Sequence, residues 1–327
     1  MQGATLFAAA GRVRPCASDS PHRAPSRPSP SKWQDYHGPT YLVCVLIYAG
    51  WFAATYFHAE LPSVVLAALG GWIIAWHSSL QHETIHGNPR GPRWLRRLIG
   101  APPLSLWLPY RVYVKTHAAH HRTEHLTLPG YDPESHFLSG SAWSRLGPAR
   151  RTVYRASRTL AGRLLLGPPL TIVTFLHAQA RLVARGDRPT ARAWLEHTGW
   201  SALILVWLYF VCDMSLVEYV LLFVYPGASL SLLRSFAEHR AELSPSRRTA
   251  IVNAGPVLSL LFLNNNLHAA HHAKPTLPWF RLPEYYRQHA RSLLRDNGGY
   301  LIADGYLGLL RRFGFRPISS PIHPVGR

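Results

Sequence analysis

Residues 40–81 read TYLVCVLIYAGWFAATYFHAELPSVVLAALGGWIIAWHSSLQ, and Glu60 is the only acidic or basic side chain in this stretch apart from two histidines. At about 1.5 Å per residue, a helix over residues 40–58 is long enough to cross a hydrocarbon core of about 30 Å. After Ala59 and Glu60, residues 61–81 are again apolar and uncharged. The stretch therefore predicts a hairpin of two transmembrane helices joined by a short connection.

A second apolar pair follows at residues 197–212 and 216–233, separated by Asp213, Met214 and Ser215. Two such hairpins predict an all-α integral membrane protein with about four transmembrane helices. Two further apolar stretches, residues 160–179 and 251–263, are interrupted by glycine and proline. We expect these to form helices that lie in the membrane interface or re-enter it, because they are broken or short, with a third hairpin as the alternative.

The distribution of basic residues predicts the orientation of the hairpins. The chain has 35 Lys and Arg against 16 Asp and Glu, a net charge of +19 that would favour a nucleic-acid partner in a soluble protein. All of these Lys and Arg lie outside the two hairpins. Since cytoplasmic segments hold an excess of basic residues, we expect both termini on the cytoplasmic side, with the charge facing anionic head groups and no nucleic acid as partner.

The rest of the composition agrees with a membrane protein, at 47% apolar and only 16% charged residues. Three scattered cysteines are too few for a disulfide framework. We predict a disordered Ser/Pro/Arg-rich tail over residues 1–39, a membrane domain over 40–318 and a short disordered C-terminal tail over 319–327.

Nineteen histidines are an unusual number for 327 residues, and many of them fall into three clusters. The clusters are QHETIHGNP with His82 and His86, THAAHHRTEH with His117, His120 and His121, and LHAAHH with His268, His271 and His272. On a helix, spacings of three and four residues put side chains on one face, which is how a helix ligates a metal ion. Two HxxHH patterns arise by chance on the order of once in five hundred such chains. All three clusters lie on the predicted cytoplasmic side, where we expect a helical cap over the membrane helices to hold them.

The donor atoms of these side chains limit which metals can bind and how many. Neutral imidazoles without thiolates suit a transition metal such as iron or zinc and disfavour calcium or magnesium. A structural zinc site needs only four ligands, so eight clustered imidazoles indicate two metals. The alternative, interfacial histidines without a metal, would leave many buried ring nitrogens unpaired.

The motifs HETIH, HAAHH and HAAHH, together with the hydrophobic hairpins, resemble the membrane fatty acid desaturase family of histidine-box di-iron enzymes. The resemblance covers about residues 40–291, and the surroundings of the third cluster are most similar to bacterial members. It implies two iron ions held by the eight cluster histidines and by a ninth, which His239 matches, with O2 as co-substrate. It also implies an oxidoreductase of lipid metabolism, with fatty-acyl desaturation as the first expectation and hydroxylation or ketone formation on a lipid, carotenoid or small metabolite as the alternative.

Polar residues beside the clusters can orient the imidazoles through the ring N–H that does not face the metal. The candidates are Glu83, Glu124, Asp132, Glu134, Glu238 and Asn265. Each of these can equally be an ordinary surface charge or, for Asn265, a helix cap. His77 is out of phase with His82 and is expected to be an interior histidine rather than a ligand.

The sequence shows no electron-transfer motif of its own. There is no Gly-rich dinucleotide fingerprint and no cysteine cluster for iron-sulfur, so a separate ferredoxin or cytochrome-type donor is expected.

A zinc or iron transporter would place its ligands near the bilayer midplane, whereas these clusters lie at or beyond helix ends. A zinc hydrolase would not need nine imidazoles. We expect the protein in a bacterial inner membrane, with the site cytoplasmic.

Overall fold

A computed structural model describes Asp35 and residues 37–325. Nearly all of the predicted N-terminal tail, residues 1–39, lies outside these residues. The described part is mostly helical, and three of its helices are long and apolar enough to cross a membrane: α1 (Gly38–Tyr56), α2 (Ser63–Ile85) and the helix that spans residues 216–238. The last of these consists of α10 (Leu216–Tyr219), a π-helical turn (Val220–Val224) and α11 (Tyr225–Glu238).

The other helices are shorter or more polar. Between α2 and α10 lie α3 (Arg93–Gly100), α4 (Tyr110–Arg122), α5 (Gly140–Ser144), α6 (Pro148–Ala156), α7 (Leu160–Leu165), α8 (Gly167–Ala184) and α9 (Arg188–Val206). After α11 follow α12 (Gly255–Leu261), α13 (His268–Ala273), α14 (Leu282–Asp296) and α15 (Gly305–Phe313). Three 3₁₀ turns occupy His58–Glu60, Pro245–Arg248 and Trp279–Arg281. Strands β1 (Ile251–Val252) and β2 (Leu301–Ile302) pair in parallel, Ile251 opposite Leu301.

Glycines let α2 and the 216–238 helix pack closely, and this contact is the centre of the fold. A Cβ atom on Gly70 would lie 2.6 Å from the carbonyl oxygen of Leu222, and one on Gly227 would lie 2.4 Å from the Cβ of Ile74. Small residues at such contacts are typical of membrane helices, which gain from close backbone approach. The packing aligns the ends of these two helices, His82 on one and Glu238 on the other.

The two predicted hairpin connections meet at the opposite end of the molecule. Nδ1 of His58, just after α1, lies 2.9 Å from a carboxylate oxygen of Glu218, and its Nε2 lies 3.0 Å from the backbone oxygen of Cys212. Deeper between the helices, the indole N–H of Trp51 donates to the hydroxyl of Tyr219 at 2.9 Å. These contacts join the first hairpin to the second.

The predicted segment 197–212 is part of a longer helix. The helix begins at Arg188, where the Asp187 carboxylate accepts a hydrogen bond from the Thr190 amide at 2.9 Å, and a π-helical turn (Trp207–Val211) continues it. Hydropathy misses its first turns because Arg188, Arg192 and Glu196 are charged. By length and composition this helix is not among the three that can cross a membrane. The number of hairpins thus stays a prediction.

The apolar stretches outside the hairpins are broken as expected. Residues 160–179 divide into α7 and α8 at Leu166, just before Gly167 and two prolines. Residues 251–263 divide into β1 and α12, so the expected helix is wrong for Ile251 and Val252, which pair with β2 instead. Their interruption by Gly and Pro thus ends one element and starts the next.

The predicted disordered C-terminal tail is wrong for residues 319–325. His323 is fully buried, and its Nε2 lies 3.0 Å from the hydroxyl oxygen of Thr127. The amide of Leu138 donates to the carbonyl of Pro321 at 2.9 Å, and that of His323 donates to the carbonyl of Leu138 at 3.0 Å. Backbone hydrogen bonds and the buried His323 imidazole order residues 319–325, although their composition alone predicted disorder.

Candidate metal centre

The first histidine cluster lies at the end of a membrane helix. His82 is in the last turn of α2, and His86 is the residue that ends the helix. His82 is almost fully buried, and His86 is partly exposed. The i, i+4 spacing places both rings on one side, with ring centroids 4.7 Å apart.

The remaining histidines come from three other elements. His117, His120 and His121 are in the last two turns of α4, and His268, His271 and His272 are in the short helix α13. His239 directly follows α11 with an extended backbone, φ −131° and ψ 138°, which turns its ring out of the helix direction. Elements far apart in sequence thus present imidazoles to one region.

The nine histidines form two groups in which each residue offers one nitrogen and all offered atoms lie within 4.8 Å of one another. The first group is His82, His86, His117, His121 and His271, and the second is His120, His239, His268 and His272. Each HxxHH motif is divided between the groups. Its first and last histidines, four residues apart, enter one group, and the middle one, about 60° from the first and about 100° from the last around the helix, enters the other.

The Nε2 atoms converge within each group. In the five-histidine group, Nε2 of His117 lies 2.9 Å from that of His86 and 3.1 Å from that of His121. Nε2 of His271 lies 3.1 Å from that of His121. In the four-histidine group, Nε2 of His268 lies 2.9 Å from that of His239 and 3.1 Å from that of His272.

The other ring nitrogen, Nδ1, faces acceptors in four of these residues. Nδ1 of His117 lies 3.0 Å from Glu134, and that of His120 lies 2.9 Å from Asp132. Nδ1 of His268 lies 3.2 Å from the amide oxygen of Asn265 and 3.5 Å from a carboxylate oxygen of Glu238. Nδ1 of His239 lies 3.3 Å from the backbone oxygen of Arg248.

These contacts define the chemistry of the donor set. Carboxylate and carbonyl oxygens only accept, so Nδ1 carries the proton and Nε2 presents its lone pair. Lone pairs that face one another at about 3 Å repel unless a cation lies among them. The arrangement therefore fits a metal ion in each group, and imidazole donors suit iron, zinc, copper or nickel.

Burial favours the neutral form of several cluster histidines. Burial, together with the neighbouring His117 and His120, lowers the pKa of His86 to about 3. Burial likewise lowers the pKa of His121 to about 2 and that of His239 to about 3. Neutral imidazole is the form that binds a metal, so these environments favour binding.

The carboxylates around the second cluster stay ionised. Burial opposes ionisation of Asp132, but the hydrogen bond and charge of His120 and the backbone amides of Thr127 and Glu134 together outweigh it and lower the Asp132 pKa. In return Asp132 raises the pKa of His120, although burial alone would lower it. A carboxylate partner of this kind increases the basicity of an imidazole ligand and fixes its ring.

The predicted orienting residues divide into two sets. Asp132, Glu134, Glu238 and Asn265 contact cluster histidines as described above. Glu83 does not: its carboxylate accepts from the Trp279 amide at 3.2 Å and from the Asn88 side chain at 3.3 Å. As the residue after His82, Glu83 points about 100° away from it around the helix. Glu124 is exposed.

Two further features bear on the expectations from sequence. His77 lies inside α2, where its Nε2 is 3.2 Å from the hydroxyl of Tyr48, so it is a satisfied interior histidine as expected. Sequence reasoning missed the Arg248 carbonyl as a partner of His239. Every residue has a backbone carbonyl, so the residue type does not reveal which carbonyl accepts, and no sequence signal could have identified this one.

The described residues combine helices apolar enough to cross a membrane with clustered imidazoles that could hold metal ions. Residues 57–303 match the family model described as fatty acid desaturase. The chain therefore belongs to the fatty acid desaturase family, and it is an oxidoreductase of the lipid desaturase and hydroxylase type. No curated protein matches the chain.

Proposed function

We propose that this chain is an O2-dependent membrane oxidoreductase that carries two irons and desaturates a fatty-acyl or other lipid substrate. The observation that carries the proposal is the convergence of nine imidazoles into a group of five and a group of four. A single structural metal would not require two such groups. Membership of the family supports a lipid as the substrate.

The overall reaction balances with a two-electron donor. Two hydrogen atoms leave adjacent carbons, a C=C bond forms, and O2 takes up these hydrogens with two electrons and two protons to give two waters. Two irons, when bound, supply the oxygen activation that breaks an unactivated C–H bond. The electrons come from a separate ferredoxin or cytochrome-type donor, and the excess of Lys and Arg is suited to dock an acidic one.

The roles of the chain's own residues follow from their positions. We assign the nine histidines of the two groups as ligands. Glu134 and Asp132 hold the rings of His117 and His120 through Nδ1, so that Nε2 stays aimed at the metal. The burial of His82, His117 and His268 keeps bulk water away from the site.

Hydroxylation or ketone formation on a lipid, carotenoid or small metabolite is the alternative reaction on the same scaffold. The outcome depends on where the substrate carbon lies relative to the oxidant, within about an ångström. We further propose a membrane domain over residues 40–318 with four membrane segments. In this arrangement, the site and both termini face the cytoplasm of a bacterium whose inner membrane holds the protein.

Metal analysis of the full-length protein, purified in detergent from iron-replete cells, tests the proposal. We expect about two irons per chain and an exchange-coupled diferric Mössbauer signal, together with a changed lipid profile of the expressing cells. His271→Ala should lose both the activity and iron. His289→Ala, at an exposed helix position outside both groups, is the matched control. One zinc per chain, or activity retained in His271→Ala, would overturn the proposal.

A further inference from the structure

A cavity of about 340 Å³ lies against α4, on the side away from the cluster histidines. Residues 111, 112, 115 and 116 of α4 line it, together with parts of α8 and the first turns of α9. On a helix these positions lie about 160° around the axis from the mean direction of His117, His120 and His121. The cavity is therefore separate from the metal centre, although one helix carries both. Its volume is in the range of small-molecule pockets.

The rim of this cavity is cationic. Arg111, Lys115 and Arg192 line it. Arg111 pairs with Glu196 at 3.2 Å, and Glu196 also pairs with Arg97 at 2.5 Å. Within residues 37–325, Lys115 and Arg192 have no carboxylate at ion-pair distance. Two positive side chains are thus free to bind an anion.

Asp187 is the nearby negative group. Its carboxylate caps α9 by accepting from the Thr190 amide. The hydrogen bond with the Thr190 amide is the main reason that the Asp187 pKa is lowered, and Lys115 lowers it further. Asp187 therefore keeps its charge and offsets the dipole of α9, so the attraction for an anion rests on Lys115 and Arg192, which outnumber it.

A buried amide in the same cavity lacks a partner. Gln179 is only 8% exposed, and in the described part of the chain its Oε1 atom has no hydrogen-bond partner. A buried polar atom without a partner costs free energy, so a native ligand is expected to satisfy it. Since Oε1 accepts, the ligand must donate a hydrogen bond, from a hydroxyl or an N–H group.

The surroundings of the cavity indicate that the ligand has an apolar part. Leu182, on α8, lines the cavity and is 37% exposed. The cavity lies beside the first turns of α9, before this helix changes from charged to apolar sequence, as a helix does where it enters a membrane. An anion with a hydroxyl donor and an acyl tail matches this combination.

We propose that this cavity binds the phosphate-bearing head group of an anionic membrane lipid of the phosphatidylglycerol type. Lys115 and Arg192 bind the phosphate, Gln179 accepts from a glycerol hydroxyl, and the acyl chains lie along Leu182. The proposal does not depend on the reaction that the metal centre catalyses. Because α4 bears ligands on its other side, the bound lipid stabilises the helix that carries the second histidine cluster.

The test is thermal unfolding of the full-length protein in neutral detergent at fixed ionic strength. The probes are dihexanoyl-phosphatidylglycerol, dihexanoyl-phosphatidylcholine and inorganic phosphate. We expect the phosphatidylglycerol to raise Tm by about 5 °C near saturation, and the phosphatidylcholine to have little effect. The Lys115→Ala/Arg192→Ala variant should weaken the concentration dependence at least about tenfold, and Gln179→Met should reduce the preference over phosphatidylcholine.

A variant of the same charge change is the control. Arg145→Ala/Arg291→Ala removes two exposed cations outside the cavity and should respond like the unaltered protein. A shift with inorganic phosphate alone, lost in Lys115→Ala/Arg192→Ala, would support the site with free phosphate as its ligand. No shift with either phosphate compound, or a shift that the cavity variant and the control share, would overturn the proposal.

Discussion

The Nε2 atom of His239 lies 2.9 Å from that of His268, although 29 residues separate them in the chain. His239 comes from the end of a membrane helix and His268 from a short helix beyond β1. The pair makes the four-histidine group depend on the packing of two distant elements, and it leads to a specific expectation for metal content.

His239→Ala should lose the metal of the four-histidine group and keep that of the five-histidine group. Removing one of four nitrogen donors leaves an incomplete set, whereas all five ligands of the other group are unchanged. We expect iron to fall from about two to about one per chain, measured by mass spectrometry of the purified protein. An unchanged metal content would show that His239 is not a ligand.

Asp132→Asn should weaken metal binding in the four-histidine group by about 10- to 100-fold. The variant keeps the size of the side chain but removes the charge that holds Nδ1 of His120. Metal loss during titration with a chelator measures the effect. Asp296→Asn, an exposed carboxylate on α14, is the control and should titrate like the unaltered protein.

Gly227→Ala should lower the stability by about 1–3 kcal/mol, because the new Cβ would meet the Cβ of Ile74 at 2.4 Å. The displacement of α11 from α2 should also reduce iron loading. Gly199→Ala in α9 is the matched control, since a Cβ there meets no atom within 4 Å. Equal Tm values for the two variants would contradict the packing described here.

The contact between His58 and Glu218 should make stability depend on pH. Burial lowers the His58 pKa, but the hydrogen bond and charge of Glu218, the Cys212 carbonyl and the charge of Asp213 together outweigh this, so the net pKa is raised above 6.5. The folded state then holds the proton more tightly than the unfolded state. The stabilisation is complete below pH 6.5 and is lost as the pH rises through the folded-state pKa.

Thermal unfolding in detergent between pH 6 and 9 measures this loss. Glu218→Gln should lower Tm mainly at the acid end and flatten the pH profile. Each 1 kcal/mol of unfolding free energy lost should lower Tm by about 2–4 °C. Glu60→Gln changes an exposed carboxylate of the first connection and should leave the profile unchanged. An identical slope in both variants would contradict the role of the pair.

The sequence predicted the parts of the site that depend on local spacing. Apolar length identified α1 and α2, and the HxxHH patterns identified residues that the structure brings together. Which of the two groups each histidine of these motifs joins was not predictable, because it depends on how α4 and α13 face each other across the fold. The start of α9 was missed for another reason: its cap, Asp187, lies in a charged stretch that hydropathy does not register.

Single residues show the same limit. Asp132 and Glu83 looked equivalent in sequence, each an acid near a histidine cluster. Asp132 lies in the segment after α4, where its two oxygens accept from His120 and from the Thr127 amide. Glu83 is fixed to a helix position that turns it toward Trp279. Only the backbone path distinguishes the two.

The buried His323 links residues 319–325 to the second histidine cluster. It contacts Thr127, whose amide donates to Asp132, and Asp132 in turn contacts His120. Proteolytic removal of residues 319–325 would therefore withdraw a contact behind the four-histidine group without cutting any helix that carries a cluster histidine.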